Sequence, residues 1–94
     1  MSKAREKATR HFLMFIEKNR NSKKIYAKYA EISDEFTSIT NMISRKNDLG
    51  GEILDEDRED FEYYDEFSKL LAIAIADHAL KEAGYRRDER GYWS

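Results

Sequence analysis

The chain has 94 residues, of which 40% are apolar and 38% are charged, so it can form one small domain with one core. It contains no cysteine and no proline, which excludes a disulfide framework, a thiolate nucleophile, a cysteine-based zinc site and a proline-rich linker. Its longest apolar run, 70–76, is far shorter than the ~20 residues that cross a bilayer, and no signal-type segment is visible. We therefore expect a cytoplasmic protein with no membrane partner.

The first segment has apolar residues at helical spacing. Ala4, Ala8, Phe12 and Ile16 recur at every fourth position, which places them on one face of a helix. Ser2 precedes them and is a suitable N-cap. We predict a helix over residues 2–18.

The second segment has the most regular pattern in the chain. Six apolar residues follow one another at alternating intervals of four and three: Ile25, Tyr29, Ile32, Phe36, Ile39 and Ile43. This heptad spacing lasts about two and a half heptads, less than a free-standing coiled coil needs. It predicts an amphipathic helix over 22–46 within a bundle, ended by Gly50 or Gly51 in a left-handed conformation.

The third segment begins with acidic residues near Asp55, which suit the N-cap and the positive end of a helix dipole. Two adjacent apolar stripes follow and cover well over half of the helix circumference. Gly84 and Lys81 are typical of a helix C-terminus, so we predict a helix over 55–83. Such a broad apolar surface indicates that this helix is either central in the bundle or partly covered by another subunit.

Together these segments predict an all-α fold, a three-helix bundle with helices at 2–18, 22–46 and 55–83 in a single domain of residues 1–84. The tail, 85–94, combines arginines with aromatic residues. Because disordered tails are usually poor in aromatic residues, we expect Tyr92 and Trp93 to dock on the bundle or on a partner.

The charges are strongly segregated along the chain. Residues 1–28 hold nine basic and two acidic residues, a net charge of +7, whereas residues 52–66 hold nine acidic residues and one arginine, a net charge of −8. Either the acidic helix complements the basic first helix within the bundle, or it presents an acidic face to a basic partner. The candidate residues of this face are Asp55, Glu56, Asp57, Glu59, Asp60 and Glu62.

The sequence has no pattern typical of an enzyme. The spacing of acidic residues from Asp55 resembles a calcium loop, but Asp60 occupies the position that requires glycine, so we reject a metal site there. His11 and His78 lie in different segments. We expect His11 to be solvated and His78 to be a satisfied core residue, and we predict no catalytic residue, no metal and no cofactor.

Nucleic-acid binding is the alternative function. Residues 30–45 have some resemblance to a helix-turn-helix, and the candidate contacts to bases or phosphates are Lys23, Lys24, Asn41, Arg45 and Lys46. Two features disfavour this motif. No glycine or similarly permissive residue lies near Ser33, where the turn would be, and the heptad pattern continues unbroken through it.

The preferred function is therefore that of a small non-enzymatic adaptor or inhibitor. We expect it to bind a protein partner through the acidic face and to form homo-oligomers through its broad apolar helix surface.

Overall fold

The computed structural model describes residues 2–84, which form three α-helices. They are α1 (Lys3–Lys18), α2 (Ser22–Asp48) and α3 (Asp55–Glu82). The predicted all-α three-helix bundle is confirmed, and each predicted helix end is correct to within two residues. None of these helices is both long enough and apolar enough to cross a membrane. The predicted tail, with Tyr92 and Trp93, lies outside the described residues.

Side chains cap the first two helices at their N-termini. The Ser2 hydroxyl accepts a hydrogen bond from the backbone N–H of Arg5 at 3.2 Å, as the sequence predicts. The side-chain oxygen of Asn21 accepts from the N–H of Lys23 at 2.8 Å and begins α2 in the same way. Each cap satisfies a backbone donor that has no partner within its helix.

The end of α2 is fixed by two glycines. Gly50 has a φ of +72°, and its N–H donates to the carbonyl oxygen of Asn47. The N–H of Gly51 donates to the carbonyl oxygen of Lys46 at 2.7 Å. These two bonds form a Schellman motif, which stops the helix within one residue and lets the chain reverse direction.

α3 is the central helix of the bundle. It packs along both α1 and α2, which contact each other far less. α2 is antiparallel to α3: Lys46 meets Asp57 near the start of α3, whereas Lys28 lies over the ring of Phe67, further along it. α1 is parallel to α3. This central position accounts for part of the broad apolar surface predicted for the third helix.

The core is small, and its buried residues come from all three helices. Its buried residues are Ala8, Ile25, Ile32, Phe67 and Leu71. All six residues of the heptad pattern in α2 are buried or half-buried, so the face predicted from the spacing is the one that packs on α3. Aromatic rings fill the space beside them, with Phe12 edge-on to Phe67 and Phe36 tilted against Phe61.

Candidate binding surfaces

Asp57 faces the interior and is not part of an outward acidic face. It is 7% exposed, and one carboxylate oxygen accepts hydrogen bonds from the Lys46 ammonium at 2.7 Å and from the Leu54 N–H at 3.1 Å. The bond from Lys46, and then the bond from Leu54, hold the pKa of Asp57 below its usual 3.8. The sequence-based assignment of Asp57 to a partner-binding face is therefore wrong.

The physical reason is the position of Asp57 in the helix. Leu54 is the N-cap of α3, but a leucine side chain cannot accept a hydrogen bond from the first turn. Asp57, three residues later, reaches back to the Leu54 N–H and forms half of a capping box. The same carboxylate binds Lys46 near the end of α2. It therefore caps the start of α3 and connects it to the end of α2.

Asp65 joins α1 to α3. Its carboxylate accepts from the Arg5 guanidinium at 2.9 Å and lies 3.0 Å from the Lys69 ammonium. Glu66 lies 3.7 Å from the same guanidinium. Burial acts to raise the pKa of Asp65, but the bonds from Lys69 and Arg5 outweigh it and hold the pKa below its usual value. Here the acidic helix does complement the basic first helix.

The other predicted acidic residues remain accessible to solvent. Asp55, Glu56, Glu59 and Asp60 are exposed and Glu62 is half-buried. Within residues 2–84, none of these five carboxylates lies within 4.0 Å of a basic side chain. We call them the acidic surface. It covers the first two turns of α3, so the acidic segment is divided between internal ion pairs and an outward surface.

A groove of about 520 Å³ borders the acidic surface between α1 and α3. Lys3 and Lys7 line its α1 side, while Glu59 and Asp60 line its α3 side. The groove is bipolar, with cationic and anionic walls, and its aromatic lining comes from two tyrosines.

One of those tyrosines, Tyr63, makes a contact that the sequence did not predict. The Tyr63 hydroxyl lies 2.6 Å from Nδ1 of His11, and its ring is edge-on to Tyr64. Burial raises the pKa of both Tyr63 and Tyr64 above the usual 10.0. His11 is exposed, as expected, but it has a specific partner. The two residues are 52 positions apart, and no local pattern indicates that they meet.

The second histidine lies at the edge of the bundle. His78 is half-buried, and its Nε2 lies 3.0 Å from a carboxylate oxygen of Glu82 on the same helix. It is satisfied, as predicted, but it is a boundary residue and not a core residue. Across residues 2–84, no group of three or more His, Asp or Glu side chains is arranged to hold a metal ion.

The candidate nucleic-acid contacts are divided between the two ends of α2. The helix runs unbroken through Ser33, so the turn of a helix-turn-helix is not formed there. The rise of an α-helix places Lys24 about 30 Å from Arg45. Lys23 and Lys24 are exposed at one end, and Asn41 and Arg45 line a groove at the other, where Lys46 is engaged by Asp57.

A third surface lies on the side of α3 that α1 and α2 leave uncovered. Ile73 is 62% exposed there, and Leu80, about two turns further along the helix, is half-buried. We call this surface the apolar face of α3, and its residues are Ala72, Ile73, Ala76, Ala79, Leu80 and Ala83. The central position of α3 therefore explains only part of its apolar circumference.

Comparison with known protein families, with curated proteins and with solved structures finds no match to this chain.

Proposed function

We propose that this chain is a small non-enzymatic domain that binds a basic protein surface through the acidic surface of α3, as an adaptor or an inhibitor, and that it self-associates. The observation that supports this proposal is the exposure of Asp55, Glu56, Glu59 and Asp60 after Asp57 and Asp65 have been satisfied inside the bundle.

The spacing of these carboxylates is unfavourable for the isolated domain. Asp55 and Glu59, like Glu56 and Asp60, are four residues apart on one helix, where like charges repel. The helix dipole favours acidic residues in the first turn only, so it offsets little of the repulsion at Glu59 and Asp60. A cationic partner would relieve this repulsion, and it would also be attracted over a distance of about 10 Å in moderate salt.

A binding titration with matched variants tests the acidic surface. The probe is a fluorescent peptide rich in lysine and arginine, and the variants are Glu56→Lys/Asp60→Lys and a control, Asp34→Lys/Glu35→Lys on α2. Both pairs are exposed, and both change the net charge equally. We expect the acidic-surface variant to bind at least about tenfold more weakly, and the control within about twofold of the wild type.

Equal weakening in the two variants would mean that the peptide responds to net charge alone, and unchanged binding in the first variant would mean that it binds elsewhere. Either result overturns the proposal. Asp57 is left intact in both proteins because its loss would disturb the fold.

A further inference from the structure

The groove between α1 and α3 reverses the charge of the acidic surface that it borders. Glu59 and Asp60 belong to the acidic surface and form one wall of the groove, whereas Lys3 and Lys7 form the opposite wall. All four residues are exposed. A uniformly basic partner that reaches into the groove would therefore be attracted by the α3 wall and repelled by the α1 wall.

The two walls do not neutralise each other. Within residues 2–84, no carboxylate lies within 4.0 Å of the ammonium of Lys3 or Lys7, and no basic side chain lies within 4.0 Å of the carboxylate of Glu59 or Asp60. The Lys7 ammonium instead lies over the Tyr63 ring, 6.0 Å from its centroid. Opposite charges thus line one groove without pairing, and a partner that carries both signs of charge would pair with both walls.

The aromatic lining of the groove is held by contacts within the bundle. The Tyr63 hydroxyl lies 2.6 Å from Nδ1 of His11, and the Tyr63 ring is edge-on to Tyr64 at a centroid distance of 4.9 Å. Both tyrosines are half-buried. They give a bound segment a fixed apolar surface with polar hydroxyls, so the groove combines charged walls with an aromatic lining.

We propose that this groove binds an extended segment of another protein in which basic and acidic residues alternate. The basic side chains of the segment face Glu59 and Asp60, and its acidic side chains face Lys3 and Lys7. This inference rests on the proposed function, because Glu59 and Asp60 belong to both the acidic surface and the groove. It adds the kind of sequence that the basic partner presents.

The spacing of the charges matches an extended chain. Successive side chains of such a chain point to opposite sides, so alternate residues face the same wall at intervals of about 6.6 Å. Residues four apart on a helix, such as Lys3 and Lys7 or Glu56 and Asp60, are separated by about 6 Å along its axis. The wall from Lys3 to His11 is about 12 Å long, which accommodates about four extended residues. One short segment can therefore pair with both walls.

Two capped peptides of about eight residues test this pattern. Both have lysine at alternate positions, and the positions between are glutamate in one peptide and glutamine in the other. The acidic surface alone favours the Lys-Gln peptide, because it carries the larger positive charge. We expect the protein to bind the Lys-Glu peptide about fivefold more tightly instead, since its glutamates pair with the α1 wall. NMR titration of the ¹⁵N-labelled protein measures both dissociation constants, and the amide shifts should cluster at residues 3–11 and 59–64.

Charge reversal of the α1 wall provides the matched variant. Lys3→Glu/Lys7→Glu should reverse the preference, so that the Lys-Gln peptide binds about fivefold more tightly than the Lys-Glu peptide. Glutamate is favourable near the N-terminus of α1, so circular dichroism should report the helix content of wild type. The control, Lys23→Glu/Lys24→Glu, changes the net charge equally at exposed positions of α2 and should keep the wild-type preference within about twofold.

Two results would overturn the inference and leave the proposed function standing. The first is a wild-type protein that prefers the Lys-Gln peptide, as the acidic surface alone would. The second is an equal change of preference in Lys3→Glu/Lys7→Glu and in the control, which would mean that the peptides respond to net charge. The proposed function itself fails in a different way, if Glu56→Lys/Asp60→Lys binds the Lys-Gln peptide as tightly as wild type does.

Discussion

Asp57 has a structural role, as a helix cap and ion-pair partner, that its sequence position does not reveal. In the sequence it is one of six acidic candidates in the same segment, and Leu54 before it lacks the hydroxyl that would mark a capping box. Its contact with Lys46 depends on the turn that follows α2, which brings the two side chains to 2.7 Å. Local sequence could predict that Asp57 favours the start of a helix, but not that it faces inward.

We expect Asp57→Ala to destabilise the bundle. The variant leaves the N–H of Leu54 without its acceptor and removes the partner of Lys46, so the melting temperature should fall by about 5 °C, the effect of losing a helix cap in a domain of this size. Thermal unfolding followed by circular dichroism measures it. Glu56→Ala, at the exposed neighbouring position, is the control and should melt within about 2 °C of wild type. Equal melting of the two variants would contradict the structural role of Asp57.

The pKa values of Asp57 and Asp65 predict how stability depends on pH. Both are lower in the folded protein than the ordinary value of 3.8, so the folded state favours the ionised carboxylates. Their contribution is complete above pH 3.8 and is lost as the pH falls through the lower folded values.

Urea unfolding at a series of pH values from about 5 to 2 checks this dependence. We expect the free energy of unfolding to fall over that range in wild type and to fall less in Asp65→Asn, which cannot ionise at this position. A parallel fall in the two proteins would mean that Asp65 does not contribute to the acid sensitivity.

At the scale of elements, the helices themselves were predictable from the sequence, but which helices pack on each other was predictable only in part. The heptad spacing of α2 identified the side that packs, because burial at intervals of three and four residues is a local property of a helix. The parallel alignment of α1 on α3 depends on contacts such as Arg5 with Asp65, which are 60 positions apart. No periodicity encodes such a pair, so the sequence left open whether the basic and acidic segments meet.

The boundary between α2 and α3 depends on the left-handed conformation of Gly50. A Cβ at this position would meet no atom within 4 Å, so the cost of Gly50→Ala is conformational and not a clash. We expect a loss of about 1 kcal/mol in the free energy of unfolding, measured by urea titration. Gly50→Asn should lose less, since asparagine tolerates this conformation better than alanine does. If the alanine and asparagine variants lose the same free energy of unfolding, the left-handed conformation of Gly50 is not what ends α2.

For the whole molecule, the charge segregation visible in sequence serves two purposes. Asp57, Asp65 and Glu66 join the helices of the bundle, whereas Asp55, Glu56, Glu59 and Asp60 remain on the outside. The sequence predicted the total charge of the segment, but it could not predict which carboxylates pair inside the bundle and which remain outside. That division depends on which carboxylates the paths of α1 and α2 bring within reach of Arg5 and Lys46.

The outward carboxylates of α3 are the proposed binding surface. The most direct measurement is an NMR titration of the ¹⁵N-labelled protein with the lysine- and arginine-rich peptide, in which the backbone amide shifts identify the residues that the peptide contacts. We predict that the largest shifts cluster at residues 55–62 and diminish as salt is added. Shifts that are spread evenly over the chain, or that concentrate around Lys24 or Arg45 and leave 55–62 unchanged, would contradict the claim.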